Sequence, residues 1–384
     1  MLRVSEGLGS MRMEKQLGDN MLPLDDPNGA LTVKEGVSKP NMINEAAMQR
    51  LRHARRRRLT VRDYVDGILS GSTTILSQAI TLLESVLPAH HDLAQAVIAE
   101  CLPHAGNSFR IGITGVPGAG KSTIIEELGE LITAQGHRLA VLAIDPSSAV
   151  SRGSILGDKT RMEKLSINPR AFIRPSPAGD SLGGVARKSR ETIILCEAAG
   201  YDTIFIETVG VGQSETAVHS MVDVFLLVLI SGAGDELQGI KRGIMEMADI
   251  LTINKADGQN VARAQMAKAQ YQSALHLFPA SDSGWIPQAT TCSAYTKAGL
   301  PELWGLLTEY LQLVKSNGYF ARHRNQQSEY WMMESIHDEL RRRFNQSPVV
   351  TAELPDLRAQ VLRNELTPFV AAQQILDKFF AQHD

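Results

Sequence analysis

The segment that most constrains the fold of this chain is GVPGAGKS, residues 115–122, which has the pattern G-x-x-x-x-G-K-[ST]. It directly follows the strand-like run RIGIT and precedes the helical pattern STIIEELGELITAQG. In that context the glycines let backbone N–H groups turn toward phosphate oxygens, and the helix directs its positive end at the same charge. Because both flanking elements are present, a phosphate-binding loop is favoured over a glycine-rich turn with an incidental Lys-Ser pair.

The residues of this loop have distinct predicted roles. Lys121 can reach the β- and γ-phosphates, Ser122 can ligate Mg²⁺, and Thr123 extends the first helical turn. We expect nucleotide contacts from Gly115, Val116, Pro117, Gly118, Ala119, Gly120, Lys121, Ser122 and Thr123. The loop alone indicates an NTPase or a kinase and does not distinguish between them.

Short apolar runs alternate with helical segments between residues 109 and 314. Near-continuous apolar strands separated by helices are typical of an α/β fold, here a doubly wound, mostly parallel sheet with helices on both faces. The predicted strands lie in FRIGITG, RLAVLAIDP, AFIRPSP, DTIFIETVG, DVFLLVLISG, ADILTINKAD and IPQATTCSA.

The sequence divides into four regions by composition and periodicity. Residues 1–41 are polar, rich in Gly, Pro and Asp, and are predicted to be a disordered leader. Residues 42–108 show helical spacing, including a continuous pattern after Thr60, and form a predicted N-terminal helical region. Residues 109–314 contain the predicted P-loop nucleotide-binding domain, and residues 315–384 return to helix.

The motif Asn254-Lys255-x-Asp257 follows a predicted buried strand and indicates which base is bound. A carboxylate at Asp257 can accept hydrogen bonds from both N1–H and N2–H of guanine, and adenine offers no such pair of donors. Ser293 and Ala294, in TCSA, resemble the loop whose backbone amide meets the guanine O6. The motif is short, but its position after a phosphate loop and before TCSA makes GTP the expected nucleotide.

Three carboxylates lie at or just beyond predicted strand ends, where α/β sheets bind ligands. With Ser122 they form the predicted Mg²⁺ site, since Mg²⁺ takes oxygen ligands and one or two carboxylates. Glu207 ends TIFIE, and Asp158 lies in the loop SRGSILGDKTR, where a functional role is favoured. Asp145 fits two interpretations equally well: a metal-site carboxylate, or a turn residue in Asp-Pro.

The stretch IETVGVGQSE departs from the Asp-x-x-Gly-Gln pattern of many GTPases. Glu207 stands where Asp is usual, and Val211 follows Gly210 where a glutamine would orient the attacking water. We therefore expect slow intrinsic hydrolysis. Gln213 could replace the missing glutamine, although an ordinary polar loop residue explains it equally well.

The composition of the chain indicates which classes of binding partner and which cellular compartment to expect. A net charge of −3 gives no global reason to expect nucleic acid or a membrane as a partner. The three cysteines are widely spaced, without a C-x-x-C pair, which favours neither disulfides nor a zinc ribbon. With no apolar segment typical of a signal peptide at the N-terminus, the expected location is the cytoplasm.

Taken together, these motifs resemble the MeaB/ArgK family of P-loop GTPases, the group that includes the human methylmalonic aciduria type A protein. The resemblance is carried by GVPGAGKST, AIDPSS, GSILGDKTRM, ETVGVGQSE, GDELQGIKRG and INKADG. It covers the chain from about residue 42 to the C-terminus, and residues 1–41 lie outside it.

The resemblance implies a homodimeric GTPase that uses GTP/GDP and Mg²⁺. It implies a chaperone for an adenosylcobalamin-dependent acyl-CoA mutase, chiefly methylmalonyl-CoA mutase, which gates cofactor delivery and protects the mutase. Lys121, Asp158, Glu207 and Lys241 are the catalytic candidates that follow from it. Residues 231–241 resemble a mobile switch that responds to the mutase, with Asp235 and Lys241 swung in, and the C-terminal helices resemble a dimerisation arm.

Two alternatives remain at this point. One is a kinase linked to arginine and ornithine transport, which no recognisable acceptor machinery in the sequence supports. The other is a nickel or cobalt metallochaperone GTPase, a class that usually carries paired cysteines or a histidine-rich tract. The ten histidines are scattered here, and the adjacent pair His90 and His91 is better explained as a solvated segment.

Overall fold

A computed structural model describes residues 59–85, 87–144, 162–175, 182–208, 214–232, 242–279 and 281–381, which belong to one compact unit. The strands are β1 (Phe109–Gly115), β2 (Leu139–Ile144), β3 (Ala171–Arg174), β4 (Thr203–Thr208), β5 (Val224–Ile230), β6 (Ile250–Asn254) and β7 (Gln288–Thr291). The helices are α1 (Val61–Leu69), α2 (Thr73–Glu84), α3 (Pro88–Cys101), α4 (Lys121–Ala134), α5 (Glu163–Ile167), α6 (Leu182–Ala198), α7 (Ser214–His219), α8 (Arg242–Met247), α9 (Val261–Leu275), α10 (Leu300–Ser316), α11 (Tyr319–Gln346), α12 (Pro348–Leu362) and α13 (Pro368–Phe380).

The seven strands form one parallel sheet in the order β3-β2-β4-β1-β5-β6-β7. The central strands are buried along their whole length, which explains their near-continuous apolar character. Each predicted strand segment contains one observed strand, and the predicted doubly wound fold is confirmed. Because the strands are parallel, their carboxyl ends meet at one edge, which we call the nucleotide edge; their amino ends form the opposite edge.

The N-terminal helices pack into the same hydrophobic core as the sheet. The continuous helical pattern after Thr60 divides into α1 and α2, because the chain turns at Gly71 with φ +76°, a backbone conformation that favours glycine. Thr60 begins α1 with a capping box, in which its side chain accepts from the Asp63 N–H and the Asp63 carboxylate accepts from the Thr60 N–H.

The C-terminal helices divide between two cores. The first half of α11 packs on the main core through Trp331, whose indole Nε1 donates to the Ser220 carbonyl at 3.0 Å. Helices α12 and α13 form a small core of their own around Val350, Leu357 and Ile375. No helix among the described residues is both long enough and apolar enough to cross a membrane.

Candidate nucleotide site

The phosphate loop connects β1 to α4 at the centre of the sheet, and two of its glycines are required by space as well as by conformation. A Cβ on Gly115 would lie 2.0 Å from the Val228 carbonyl oxygen of the neighbouring strand. Gly120 has φ +87°, and a Cβ there would lie 2.6 Å from the Asn254 side chain. Any larger residue at either position would move the loop away from the sheet.

Lys121 and Ser122 begin α4 and point into the same region. Lys121 Nζ donates to the Gly115 carbonyl at 2.9 Å, so the ammonium lies within the curve of the loop. Ser122 Oγ donates to Glu207 Oε1 at 3.1 Å, which brings the end of β4 beside the loop. Burial lowers the pKa of Lys121, while the nearby carboxylates of Glu207 and Glu215 act in the opposite direction.

Glu215 is a residue that our sequence reasoning did not single out. It lies in the first turn of α7, is 1% exposed, and exerts a Coulomb attraction on Lys121. The signal in the sequence was an acidic residue at the start of a helix just after a strand end, a position where helix dipoles stabilise carboxylates. On its own that signal occurs too often to identify a site.

The guanine motif and the TCSA loop are brought together because β6 and β7 are adjacent parallel strands. Asn254 Oδ1 accepts from the Ala294 N–H at 3.1 Å, and Asn254 Nδ2 donates to the Ala119 carbonyl at 2.8 Å. One asparagine thus connects the phosphate loop to the predicted base-recognition loop. Ser293 Oγ donates to Asp257 Oδ2, which orients the carboxylate beside the predicted base-recognition loop.

Lys255 has an exposed side chain and a strained backbone. Its φ is +58°, which is uncommon for a residue with a Cβ, and such strain costs roughly 1–3 kcal/mol. The Asn260 side chain stabilises this turn by donating to the Lys255 carbonyl at 2.6 Å. The strain turns the chain between Asn254 and Asp257, so that both side chains can face the nucleotide edge.

A second buried carboxylate connects the loops around this site. Glu127, on α4, is 7% exposed, accepts a hydrogen bond from Lys164 and forms an ion pair with Lys297 at 2.6 Å. Lys164 lies in α5, and Lys297 follows Ser293 and Ala294 in the chain. The two lysines lower the pKa of Glu127, although burial opposes them. Glu127 therefore holds α5 and the segment after Ala294 against the helix that carries Lys121.

Three predicted site residues, Asp145, Asp158 and Lys241, lie outside the described residues, as do Val211, Gln213 and Asp235. The predicted residues that the structure describes, from Gly115 to Ala294, lie together at the nucleotide edge. The fold thus joins a phosphate loop, a serine hydroxyl beside a carboxylate, and a carboxylate suited to guanine.

Comparison with known proteins identifies the family to which the chain belongs. The family model described as Methylmalonyl Co-A mutase-associated GTPase MeaB matches residues 76–349. The chain belongs to the MeaB family.

Relatives of known name agree with this placement. A putative GTPase of Caulobacter vibrioides is 49% identical over 81% of this chain and 95% of the relative. The mouse methylmalonic aciduria type A homolog, mitochondrial, is 44% identical over 83% of this chain and 79% of its own length. GTPase ArgK of Escherichia coli is 44% identical over 78% of this chain and 86% of its own length.

A solved structure agrees as well. The crystal structure of an LAO/AO transport system kinase is 36% identical, has a TM-score of 0.67, and covers 84% of this chain and 97% of that chain. The MeaB-family member described here is therefore a GTPase with a P-loop fold, and the predictions of family, fold and GTP hydrolysis are confirmed.

Proposed function

We propose that this GTPase is a chaperone for an adenosylcobalamin-dependent acyl-CoA mutase, with methylmalonyl-CoA mutase as the first candidate. GTP binding and hydrolysis gate delivery of the cofactor to the mutase and protect the mutase from inactivation. The observation that carries the proposal is the match to the mutase-associated family over residues 76–349. It is supported by the phosphate loop, in which Lys121 and Ser122 are both present and positioned.

Within the site we assign roles to the residues that meet at the nucleotide edge. The loop residues from Gly115 to Thr123 bind phosphate, Asp257 binds the guanine edge, and Asn254 and Lys255 shape the pocket around the base. Ser293 orients Asp257, and the Ala294 backbone contacts the base. In this scheme Lys121 stabilises the negative charge that develops on the transferred phosphoryl group.

Mg²⁺ is the metal that suits the oxygen atoms found here. Ser122 Oγ and Glu207 Oε1 lie 3.1 Å apart, and a hydroxyl beside a carboxylate is a donor set that Mg²⁺ accepts. Asp145 and Asp158 complete the proposed set of carboxylates. When bound, the ion would neutralise charge on the β- and γ-phosphates. Glu207 would hold Ser122 oriented toward it.

The C-terminal helices are the proposed dimerisation region. Helix α11 continues past Trp331 with exposed apolar side chains at Met332, Met333, Ile336 and Leu340. A second copy of the chain would cover this face. The three cysteines are free and buried, which suits the proposed cytoplasmic location.

We further propose that the mutase accelerates hydrolysis, because Val211 stands where many GTPases carry the water-orienting glutamine. Lys241 would be the residue brought to the phosphates when the mutase docks, by analogy with an arginine finger. The test is the rate of phosphate release from GTP with and without methylmalonyl-CoA mutase. The expected result is stimulation by the mutase that Lys241→Ala reduces and the control Lys268→Ala on α9 retains.

Two outcomes would contradict these assignments. Hydrolysis that methylmalonyl-CoA mutase and related acyl-CoA mutases all leave unchanged, with no GTP-dependent binding in a pulldown, would overturn the chaperone function. Stimulation that survives Lys241→Ala in full would overturn the role of Lys241 alone.

The similar solved structure is named a transport system kinase, so a protein kinase is the alternative function to test. A kinase would transfer the γ-phosphate of GTP to a periplasmic binding protein, whereas the proposed chaperone releases it as inorganic phosphate. Labelled γ-phosphate found on the binding protein would favour the kinase, and label found only in solution would favour the GTPase chaperone.

A further inference from the structure

A cavity of about 250 Å³ lies at the edge of the sheet opposite the nucleotide site. Asp223 and Asp249, which line it, immediately precede β5 and β6, so the cavity is at the amino ends of these strands. Since β5 has seven residues and a strand rises about 3.3 Å per residue, roughly 23 Å separates the two edges. The cavity is therefore a separate place from the predicted GTP site.

The charged side chains that line this cavity are all carboxylates. Its lining includes the four carboxylates of Asp223, Glu246, Asp249 and Asp282 and contains no lysine or arginine. Asp223 is already neutralised by Arg324, whose Nη2 lies 2.7 Å from Asp223 Oδ2. Within the described part of the chain, Glu246, Asp249 and Asp282 have no ion-pair partner.

Asp249 is the best placed of these carboxylates. The structure gives its side chain one hydrogen bond, in which Oδ2 accepts from the Phe225 N–H at 2.8 Å. Burial raises the pKa of Asp249 to about 7, which shows how much the surroundings disfavour its charge. A positive group in the cavity would relieve that penalty, and an anion would increase it.

The remaining walls are aromatic, apolar or weakly polar. Tyr319 stacks on His323 with ring centroids 5.2 Å apart, and His219 packs edge-on against Phe225 at 5.6 Å. Burial, together with the neighbouring His323, lowers the pKa of His219 to about 4, so this ring is neutral at neutral pH. Met245 and Phe278 add apolar surface. Aromatic faces beside carboxylates form the environment that attracts organic cations.

We propose that this cavity binds a small organic cation, an ammonium or guanidinium group carried on an apolar body. The charged group lies beside Asp249, and the apolar body packs against Tyr319, Met245 and Phe278. The volume is somewhat below the roughly 300–1,000 Å³ of sites for drug-sized ligands, which points to a smaller molecule. A metal ion fits less well, because the described residues contain no group of three or more His, Cys, Asp or Glu side chains arranged to hold one.

The first test compares three probes of one shape and different charge on the full chain: benzylamine, benzyl alcohol and benzoate. The protein is saturated with GDP and Mg²⁺, so that carboxylates at the nucleotide edge are occupied. Binding is followed by the NMR signals of the His219 and His323 rings. For a ligand of this size we expect saturable shifts with benzylamine at a Kd on the order of 1 mM, and at least tenfold weaker binding of the other two. Equal binding of all three, or no saturable shift with benzylamine, would overturn the proposal.

The second test uses Asp249→Asn, which removes the charge and keeps an oxygen to accept from the Phe225 N–H. We expect this variant to bind benzylamine at least tenfold more weakly than the unmutated protein. The control is Asp92→Asn, an exposed carboxylate on α3 outside the cavity, which should bind as the unmutated protein does. Unchanged affinity in Asp249→Asn would contradict the assigned position of the cation. If Asp249→Asn does not fold, the relative affinities of the three probes for the unmutated protein decide whether the cavity binds a cation.

Discussion

The two edges of the sheet use charged side chains in different ways. At the nucleotide edge Lys121 and Asp257 are partly exposed; Lys121 donates to the carbonyls of Gly115 and Val116, and Asp257 accepts from Ser293. At the opposite edge Glu197 and Asp223 are 6% and 5% exposed and pair with Arg110, which is buried, and Arg324, which is largely enclosed.

The opposite edge is a network that joins four parts of the chain. Arg110 on β1 pairs with Glu197 on α6 at 2.8 Å, and Arg324 on α11 pairs with Asp223 at 2.7 Å. Arg324 also donates to the carbonyls of Gly106 and Ser108, both at 2.6 Å. These charges find their partners inside the protein and attach α11 to the sheet. Removal of a charge should therefore affect catalysis at the nucleotide edge and stability at the opposite edge.

The largest effect is expected from Asp223→Ala. This change removes the nearer carboxylate of Arg324, whose side chain is 12% exposed, and leaves only Glu197 at 3.8 Å; the loss of one partner of a buried pair costs about 3–5 kcal/mol. Urea unfolding measures the change in the free energy of unfolding. The matched control is Asp66→Ala, which removes an exposed i,i+4 pair with Arg62 and should cost less than about 1 kcal/mol. If Asp223→Ala and Asp66→Ala lower the free energy of unfolding by similar amounts, the charge network at the opposite edge does not have the stabilising role assigned to it.

Lys121→Ala, at the nucleotide edge, should reduce catalysis and leave stability nearly unchanged. Loss of one preorganised positive charge at the phosphates is expected to lower kcat for GTP by about 10²–10³-fold, while the free energy of unfolding stays nearly the same. Phosphate release and urea unfolding on the same preparation measure both quantities. Lys268→Ala on α9 is the control and should retain activity. A stable Lys121→Ala variant with normal turnover would contradict the assignment of this edge.

A pH dependence of stability is expected from His219, whose pKa burial and His323 lower to about 4 from an ordinary value of 6.5. Below pH 6.5 the unfolded chain binds a proton at this residue that the folded chain does not bind until about pH 4. Stability is therefore lost as the pH falls through this window, by about 2 kcal/mol at pH 5. Between pH 7.5 and 5, the free energy of unfolding of His219→Gln should fall by about 2 kcal/mol less than that of the unmutated protein. If the free energies of unfolding of the two proteins change with pH in the same way, the pKa of His219 is not lowered in the folded protein.

Asp257→Asn tests the base-recognition part of the nucleotide edge. The asparagine amide offers an N–H in place of one carboxylate oxygen, so xanthine, which has a carbonyl where guanine has its amino group, becomes the better match. We expect the preference for GTP over XTP to fall by about 1–3 kcal/mol, as when a buried polar partner is mismatched. Competition binding with labelled GDP gives the two affinities. An unchanged preference would show that Asp257 does not contact the base.

The smallest effect is expected from Glu127→Gln, which keeps the shape of the side chain and removes the charge between Lys164 and Lys297. Lys164 is more than half exposed, so solvent weakens the pair. We expect KM for GTP to rise by roughly threefold, less than about 1 kcal/mol, with kcat and folding nearly unchanged. A fall in kcat as large as that of Lys121→Ala would mean that Glu127 acts on the reacting phosphate and not only on the surrounding loops.

Local patterns in the sequence predicted most of the sheet and much of the nucleotide site. Apolar runs of strand length marked all seven strands, and GVPGAGKS and NKAD marked strand ends. Because parallel strands share one carboxyl edge, these motifs had to meet once the sheet formed. Asn254, which connects Ala119 to Ala294, was predicted as part of the guanine motif, although its contact with the phosphate loop was not.

The sequence by itself determined the motifs, because each is short, contiguous and joined to a strand by only a few residues. Contacts between distant residues were decided only by the tertiary structure: Glu127 with Lys297, Arg324 with Asp223, and the cavity beside Asp249. A charged residue on a helix has the same local pattern whether its partner is solvent or a buried ion. The packing of α6 and α11 removes Glu197 and Asp223 from water and leaves them 6% and 5% exposed, so their pairing with arginines affects stability.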